Sequence, residues 1–230
     1  MSLKLNEFET KLKDAQQKAE QLFRTLEERL ILIAGQTEKE LNTRIYDLAF
    51  ELFGIHKYWH KRIVRAGVNT LSPYDDNPPN LMIMPDDIMF LDFGPVFEDW
   101  EADLGRTYVL GNNKDKLRLL HDIETAWQQG KQHLRANPGL TGAEFYQYSV
   151  DLAQSYGWEF GGTIAGHIIG NFPHKEILGS EIVNYVHPDN HVPMNAPDKF
   201  GHPRHWIYEI HFVDKKQQIG GFYEQLVTID

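Results

Sequence analysis

The stretch IMFLDFGPVFEDWEADLGRTYVLG, residues 88–111, sets two aspartates, Asp92 and Asp103, into what otherwise reads as a pair of apolar strands. IMFLDFG has the unbroken hydrophobic character of a buried strand, and PVFEDW, with Pro95 and its acidic pair, suits a chain reversal. If that turn centres between Phe97 and Glu98, the aspartates stand directly opposite each other in an antiparallel hairpin. Like charges so placed destabilise a strand pair, and a buried carboxylate without a partner is costly. A cation between the two would reverse the penalty.

The C-terminus repeats the arrangement. HWIYEIHFVD (205–214) and IGGFYEQLVTI (219–229) are strand-like runs around a polar KKQQ. A turn centred between Lys216 and Gln217 puts Glu209 opposite Glu224. Between the hairpins, GTIAGHIIGNFPHKE carries His167 and His174, and the glycines flanking His167 leave the backbone room that a crowded site needs. Four carboxylates and an imidazole make a donor set for two divalent ions about 3.5–4 Å apart. With eleven histidines and no cysteine, nitrogen and oxygen ligands suit Mn²⁺, Co²⁺, Fe²⁺ or Zn²⁺ without choosing among them.

Further from the hairpins the pattern is helical. Residues 3–33 space Leu3, Phe8, Leu12, Ala15, Ala19, Leu22, Leu26 and Leu30 as the stripe of an amphipathic helix packed on a body. Thr37 and Glu40 have capping-box spacing ahead of LNTRIYDLAFELF and Gly54, and Thr141 and Glu144 repeat it ahead of FYQYSVDLAQSY and Gly157. After each glycine an extended stretch reaches Ala-Gly, at 66–67 and at 165–166. The order cap, helix, glycine stop, strand, met twice, points to an internal duplication of two α+β halves. KDKLRLLHDIETAWQQGKQHLRANPG (114–139) reads as the helix connecting them, and 185–205 as a long loop. No linker divides the chain, so one domain over 1–230 is expected, with 1–33 packed on it.

The net charge of −10 argues against a broad nucleic-acid surface, which needs a basic stripe. No run approaches the roughly 18 apolar residues of a membrane span. The charged start lacks a signal peptide's apolar stretch, which together with the lack of cysteine fits a cytoplasmic protein.

The order Asp92, Asp103, His167, Glu209, Glu224 resembles the pita-bread metallopeptidases: methionine aminopeptidase, aminopeptidase P, prolidase and creatinase. The likeness runs from about residue 33 to the end. LDFG and ADLGRT match the first two ligands, GHIIG the imidazole, and YEIHF and FYEQL the last two. The resemblance implies an α+β pita-bread fold of two pseudo-symmetric halves around a dinuclear metal site. It makes Glu209 a proton shuttle and His174 a substrate contact, and TEKEL and LGRTYVLG resemble the Xaa-Pro peptidase branch. The implied activity is hydrolysis of short peptides from the N-terminus by a hydroxide bridging two ions. Family members are often homodimers, and the N-terminal helix could serve that interface or cover its own core.

Three positions depart from the family pattern. Tyr74, in RAGVNTLSPYDD, occupies the place where active family members usually have a histidine just after the Gly-x-Asn stretch, with His56 and His60 nearby but out of register with the motif. Ile210 stands for a proline and Ile168 for a glycine. Two further readings therefore stay open. One is a peptide- or protein-binding relative with little or no hydrolysis; the other is a creatinase-like C–N hydrolase, against which five retained ligands count.

Overall fold

The structure, a computed structural model, describes residues 5–173 and 181–229. Helix α1 (Leu5–Glu28) leads into α2 (Glu38–Phe53) and strand β1 (Ile63–Ala66). A first hairpin follows, built from β2 (Ile88–Phe93) and β5 (Leu104–Val109), with the short β3 (Val96–Phe97) and β4 (Trp100–Glu101) forming its tip. Helices α3 (Lys114–Ala136) and α4 (Gly142–Ser155) lead to β6 (Glu159–Phe160) and β7 (Gly166–Ile169). The chain closes on the hairpin of β8 (His205–Asp214) and β9 (Ile219–Leu226).

Seven strands form one antiparallel sheet in the order β1-β2-β5-β9-β8-β6, with β7 also on β8. The order is palindromic about the β5–β9 seam, as two pseudo-symmetric halves require. Neighbouring residues of the strands face opposite sides of the sheet. Met89, Leu91 and Phe93 enter the core beneath α1 and α2, while Phe90 and Asp92 line a cavity on the other side. On β8, Tyr208, Ile210 and Phe212 pack with α3 and α4, while Glu209 and His211 face that same cavity. The helices thus cover one face, and the carboxylates are gathered on the other.

Both expected capping boxes are present. Thr37 Oγ1 accepts from Glu40 N–H (3.2 Å) while Glu40 Oε2 accepts from Thr37 N–H (2.7 Å). Thr141 and Glu144 repeat this at 3.2 and 2.8 Å. The α1 stripe from Leu12 to Leu26 is buried in the chain's own core. The helix stops at Glu28 rather than running to 33. Leu30 takes a left-handed φ of 51° and Ile31 N–H bonds back to Leu26 O, and the amide of Gln36 then holds the Ile31 and Ile33 carbonyls. In the second half the extended run does not end at Ala165-Gly166; β7 begins there. Among the described residues no helix is long and apolar enough to cross a membrane.

Candidate metal centre

The two hairpins deliver their carboxylates differently. In the second, Glu209 and Glu224 are direct cross-strand partners, as expected from KKQQ. In the first, Asp92 pairs with Gly105, not with Asp103, and the turn centres between Glu98 and Asp99, two residues' worth of register away from the expected pairing. The reason lies at Gly105, which is paired with Asp92 on one side and with Glu224 on the other. A Cβ at 105 would lie 2.5 Å from the Phe222 ring and 2.9 Å from Glu224 Cβ. No side chain fits directly opposite Asp92. The second carboxylate therefore stands two residues earlier, diagonal to Asp92, and a shift of two keeps it on the same face.

Asp92, Asp103, His167, Glu209 and Glu224 all line one cavity of about 470 Å³. His167 is placed by β7, whose first residue, Gly166, has φ 142° and brings its backbone so close to β8 that a Cβ would lie 2.2 Å from Ile207 O. Ile168, the residue standing in for the family glycine, points into the core under α3 and α4 and offers the cavity no side chain. Its carbonyl instead meets the His167 Nδ1 at 2.9 Å. His167 Nε2 then faces Asp103 Oδ2 at 3.1 Å and Glu224 Oε1 at 3.6 Å. Tyr74 lines the cavity mouth with its ring 5.9 Å from that of His60, and its hydroxyl accepts from Lys61 N–H at 3.4 Å. His174 lies outside the described residues.

His60, set aside by motif alignment, proves to be part of the site. Its Nε2 is 3.2 Å from Asp103 Oδ1 and 3.4 Å from Asp92 Oδ1. It arrives through a bulge: from the Tyr58–Pro95 bridge to the Ile63–Asp92 pair, four residues (59–62) stand against two (93–94). Gly94 makes this possible, because a Cβ there would lie 2.2 Å from His60 Cδ2. The sequence signal available was this glycine in LDFG; nothing in the WHKR stretch itself announces a bulge.

The electrostatics follow from crowding like charges out of water. Burial raises the Asp92 carboxyl, with Asp103 and Glu209 adding to the rise and His60 opposing it. Glu224 is raised well above the usual range, first by burial and then by Asp103, Asp92 and Glu209. Burial pushes Asp103 the same way, but the His60 and His167 rings outweigh it and hold the carboxyl down. His60, though buried, is pushed up to about 9 by Asp92 and Asp103. His211 faces no such carboxylate pair; burial presses it down to about 4 while its Nε2 contacts Thr70 O at 2.7 Å.

Such a set suits divalent cations. Asp92 Oδ1 is buried without a hydrogen-bond partner, and two groups of donor atoms, His60–Asp92–Asp103 and Asp103–His167–Glu224, each lie within 4.8 Å of one another. Asp103 belongs to both.

Comparison with known proteins agrees with this geometry. Residues 10–201 match the model of metallopeptidase family M24. The Xaa-Pro dipeptidase of Lactobacillus helveticus is 27% identical over 154 residues, which is 65% of this chain and 41% of that one. The chain thus spans about two-fifths of the length of the curated relatives it matches. The prolidase of Thermococcus sibiricus superposes with a TM-score of 0.74 at 18% identity, over 95% of this chain and 55% of that one. Methionine aminopeptidase from Rickettsia prowazekii superposes with a TM-score of 0.71 at 12% identity, over 96% and 92%. The fold they share is the pita-bread fold.

Proposed function

The chain belongs to metallopeptidase family M24, and on that premise we propose that it hydrolyses short peptides from their N-terminus, in the manner of an Xaa-Pro dipeptidase or aminopeptidase. The observation that carries the reading is the pair of donor groups joined through Asp103. Asp92, Asp103, His167, Glu209 and Glu224 hold two divalent ions in this reading, drawn from Mn²⁺, Co²⁺, Fe²⁺ and Zn²⁺. Bound there, such ions acidify water and polarise a carbonyl.

The chain's own residues supply the rest. Glu209, half-buried on β8 and raised by desolvation, with Glu224 as its hydrogen-bonded neighbour, takes the proton of the attacking water and returns it to the leaving amine. Tyr74 donates a hydrogen bond to the substrate; burial raises its phenol, so it orients rather than exchanges protons. His174 adds a second contact on the strength of the resemblance. Trp59, Phe90 and Phe222 give the cavity an aromatic wall that excludes water and accepts an apolar side chain or a prolyl ring.

The test is digestion of a short-peptide library, read by mass spectrometry, with and without chelator and with Glu209→Gln. Cleavage at the N-terminal end is expected, abolished by chelation, restored by Mn²⁺, and lost in the variant. Cleavage indifferent to chelator sinks the reading; peptide that binds the metal-loaded protein and survives makes the chain a binder.

A further inference from the structure

We propose that His60 is a sixth metal-directed donor, its Nε2 holding one ion together with Asp92 and Asp103, so that each ion of the pair has its own imidazole. This rests on the reading of the site as a divalent-metal centre and adds a residue that the family pattern does not supply.

His60 and His167 are presented to the site in the same way. Each ring contacts the carbonyl of the residue that follows it, His60 Nδ1 at 2.7 Å from Lys61 O and His167 Nδ1 at 2.9 Å from Ile168 O. A carbonyl can only accept, so Nδ1 carries the proton in both. This is the outer contact that fixes the tautomer of a ligating histidine and turns the Nε2 lone pair towards the ion. Each Nε2 then meets a different oxygen of one carboxylate, His60 the Oδ1 and His167 the Oδ2 of Asp103. Trp59 packs edge-on against both rings, with centroids 4.4 and 5.1 Å away, and so limits their rotation.

The spacings are those of neighbouring ligands around one ion. Donors about 2.1 Å from a metal lie about 3.0 Å apart at octahedral angles and about 3.4 Å apart at tetrahedral ones. His60 Nε2 lies 3.2 and 3.4 Å from its two carboxylate oxygens. With the Nδ1 proton assigned, a neutral His60 would aim a lone pair at two carboxylates, so positive charge must sit between them. Either a metal ion or a second proton supplies it. An imidazole in place of an oxygen donor also shifts the site's preference from Mn²⁺ towards Zn²⁺ and Co²⁺.

The experiment titrates the metal-free 230-residue chain with Zn²⁺ and with Mn²⁺ by calorimetry and follows the visible spectrum of added Co²⁺, using wild type, His60→Ala and His60→Asn. Wild type should take up two ions. The variants should keep one and bind the second at least about 100-fold more weakly, beyond the cost of losing a mere outer contact, with the larger loss for Zn²⁺. Two ions bound as tightly as before, with an unchanged Co²⁺ spectrum, would overturn the role of His60 and leave the metal centre standing. Tighter binding in the variants would show that His60 carries a competing proton, which also overturns it. Wild type that binds no divalent ion removes the metal centre itself. Should both variants unfold, nitrogen-15 histidine spectra of wild type decide: Zn²⁺ must move the Nε2 signals of His60 and His167 alike, and movement of His167 alone refutes the proposal.

Discussion

In the first half of the sheet, the strand beside the hairpin that carries Asp92 and Asp103 is interrupted by four residues (59–62) standing against two (93–94). In the second half, β6 and β7 are interrupted by five (161–165) standing against three (209–211). Each bulge inserts two extra residues next to a carboxylate, Asp92 in one half and Glu209 in the other. The first uses the insertion to turn an imidazole, His60, into the site; the second uses it to widen the cavity with Gly161 and Gly162, and its imidazole comes from β7. The hairpins differ in the complementary sense. Glu209 and Glu224 oppose each other, whereas Asp92 and Asp103 are staggered, because Gly105 lies between two carboxylate strands with no room for a Cβ. Symmetry here governs the backbone, and the departures from it load the site. Asp103, pushed inward by the stagger, becomes the residue that both histidines face.

That makes Asp103 the point at which the comparison breaks most sharply. If the two proposed ions share Asp103, Asp103→Asn should abolish binding of both and lower kcat/KM by at least about 10³-fold, roughly 4 kcal/mol of transition-state stabilisation. His167→Ala should remove one ion and leave the other measurable. Calorimetric stoichiometry beside peptide kinetics checks this. An Asp103→Asn protein that keeps one ion at full affinity would mean that the two halves hold their ions independently.

How far this was legible in the sequence follows from the range of the interactions. The capping boxes depend on residues three apart and were readable in full. The C-terminal hairpin was readable because four polar residues between two apolar runs leave little choice of turn. In the first hairpin the period-two pattern sets which face Asp92 and Asp103 share but not which residue each opposes. The register depended on a left-handed Glu98 at the tip, φ 57°, where a glycine would have signalled the turn. His60 was hidden for a similar reason: a bulge is a contest between two strands distant in sequence, and one strand's residues do not record it.

The halves also meet through His211, on β8, whose Nε2 reaches Thr70 O in the first half while Thr70 Oγ1 accepts from Gly220 N–H at 2.8 Å. Burial depresses this histidine to about 4. Between that value and the unfolded value near 6.5, the unfolded chain takes up a proton that the folded chain refuses, so stability falls as pH falls through this window. The loss reaches on the order of 3 kcal/mol by about pH 4. Urea titrations at several pH values should show a steeper acid loss in wild type than in His211→Gln. Parallel slopes would mean that the seam between the halves is not titrated by this residue.

The smallest effect tests the duplication itself. In α2 the first two helical N–H groups are satisfied from a distant loop, Glu38 by Leu81 O (3.0 Å) and Lys39 by Asn80 Oδ1 (3.0 Å). In α4 the same two positions are served by another loop, Gly142 by Val192 O (3.4 Å) and Ala143 by Asn190 O (2.7 Å). Only the third N–H, of Glu40 or Glu144, depends on the threonine. Thr37→Ala and Thr141→Ala should therefore each cost about 1 kcal/mol, agree within about 0.5 kcal/mol, and add in the double variant because the caps share no partner. Chemical denaturation of the three proteins measures it. If one cap costs several times the other, the two helix starts are alike in outline only, and the pseudo-symmetry stops at the sheet.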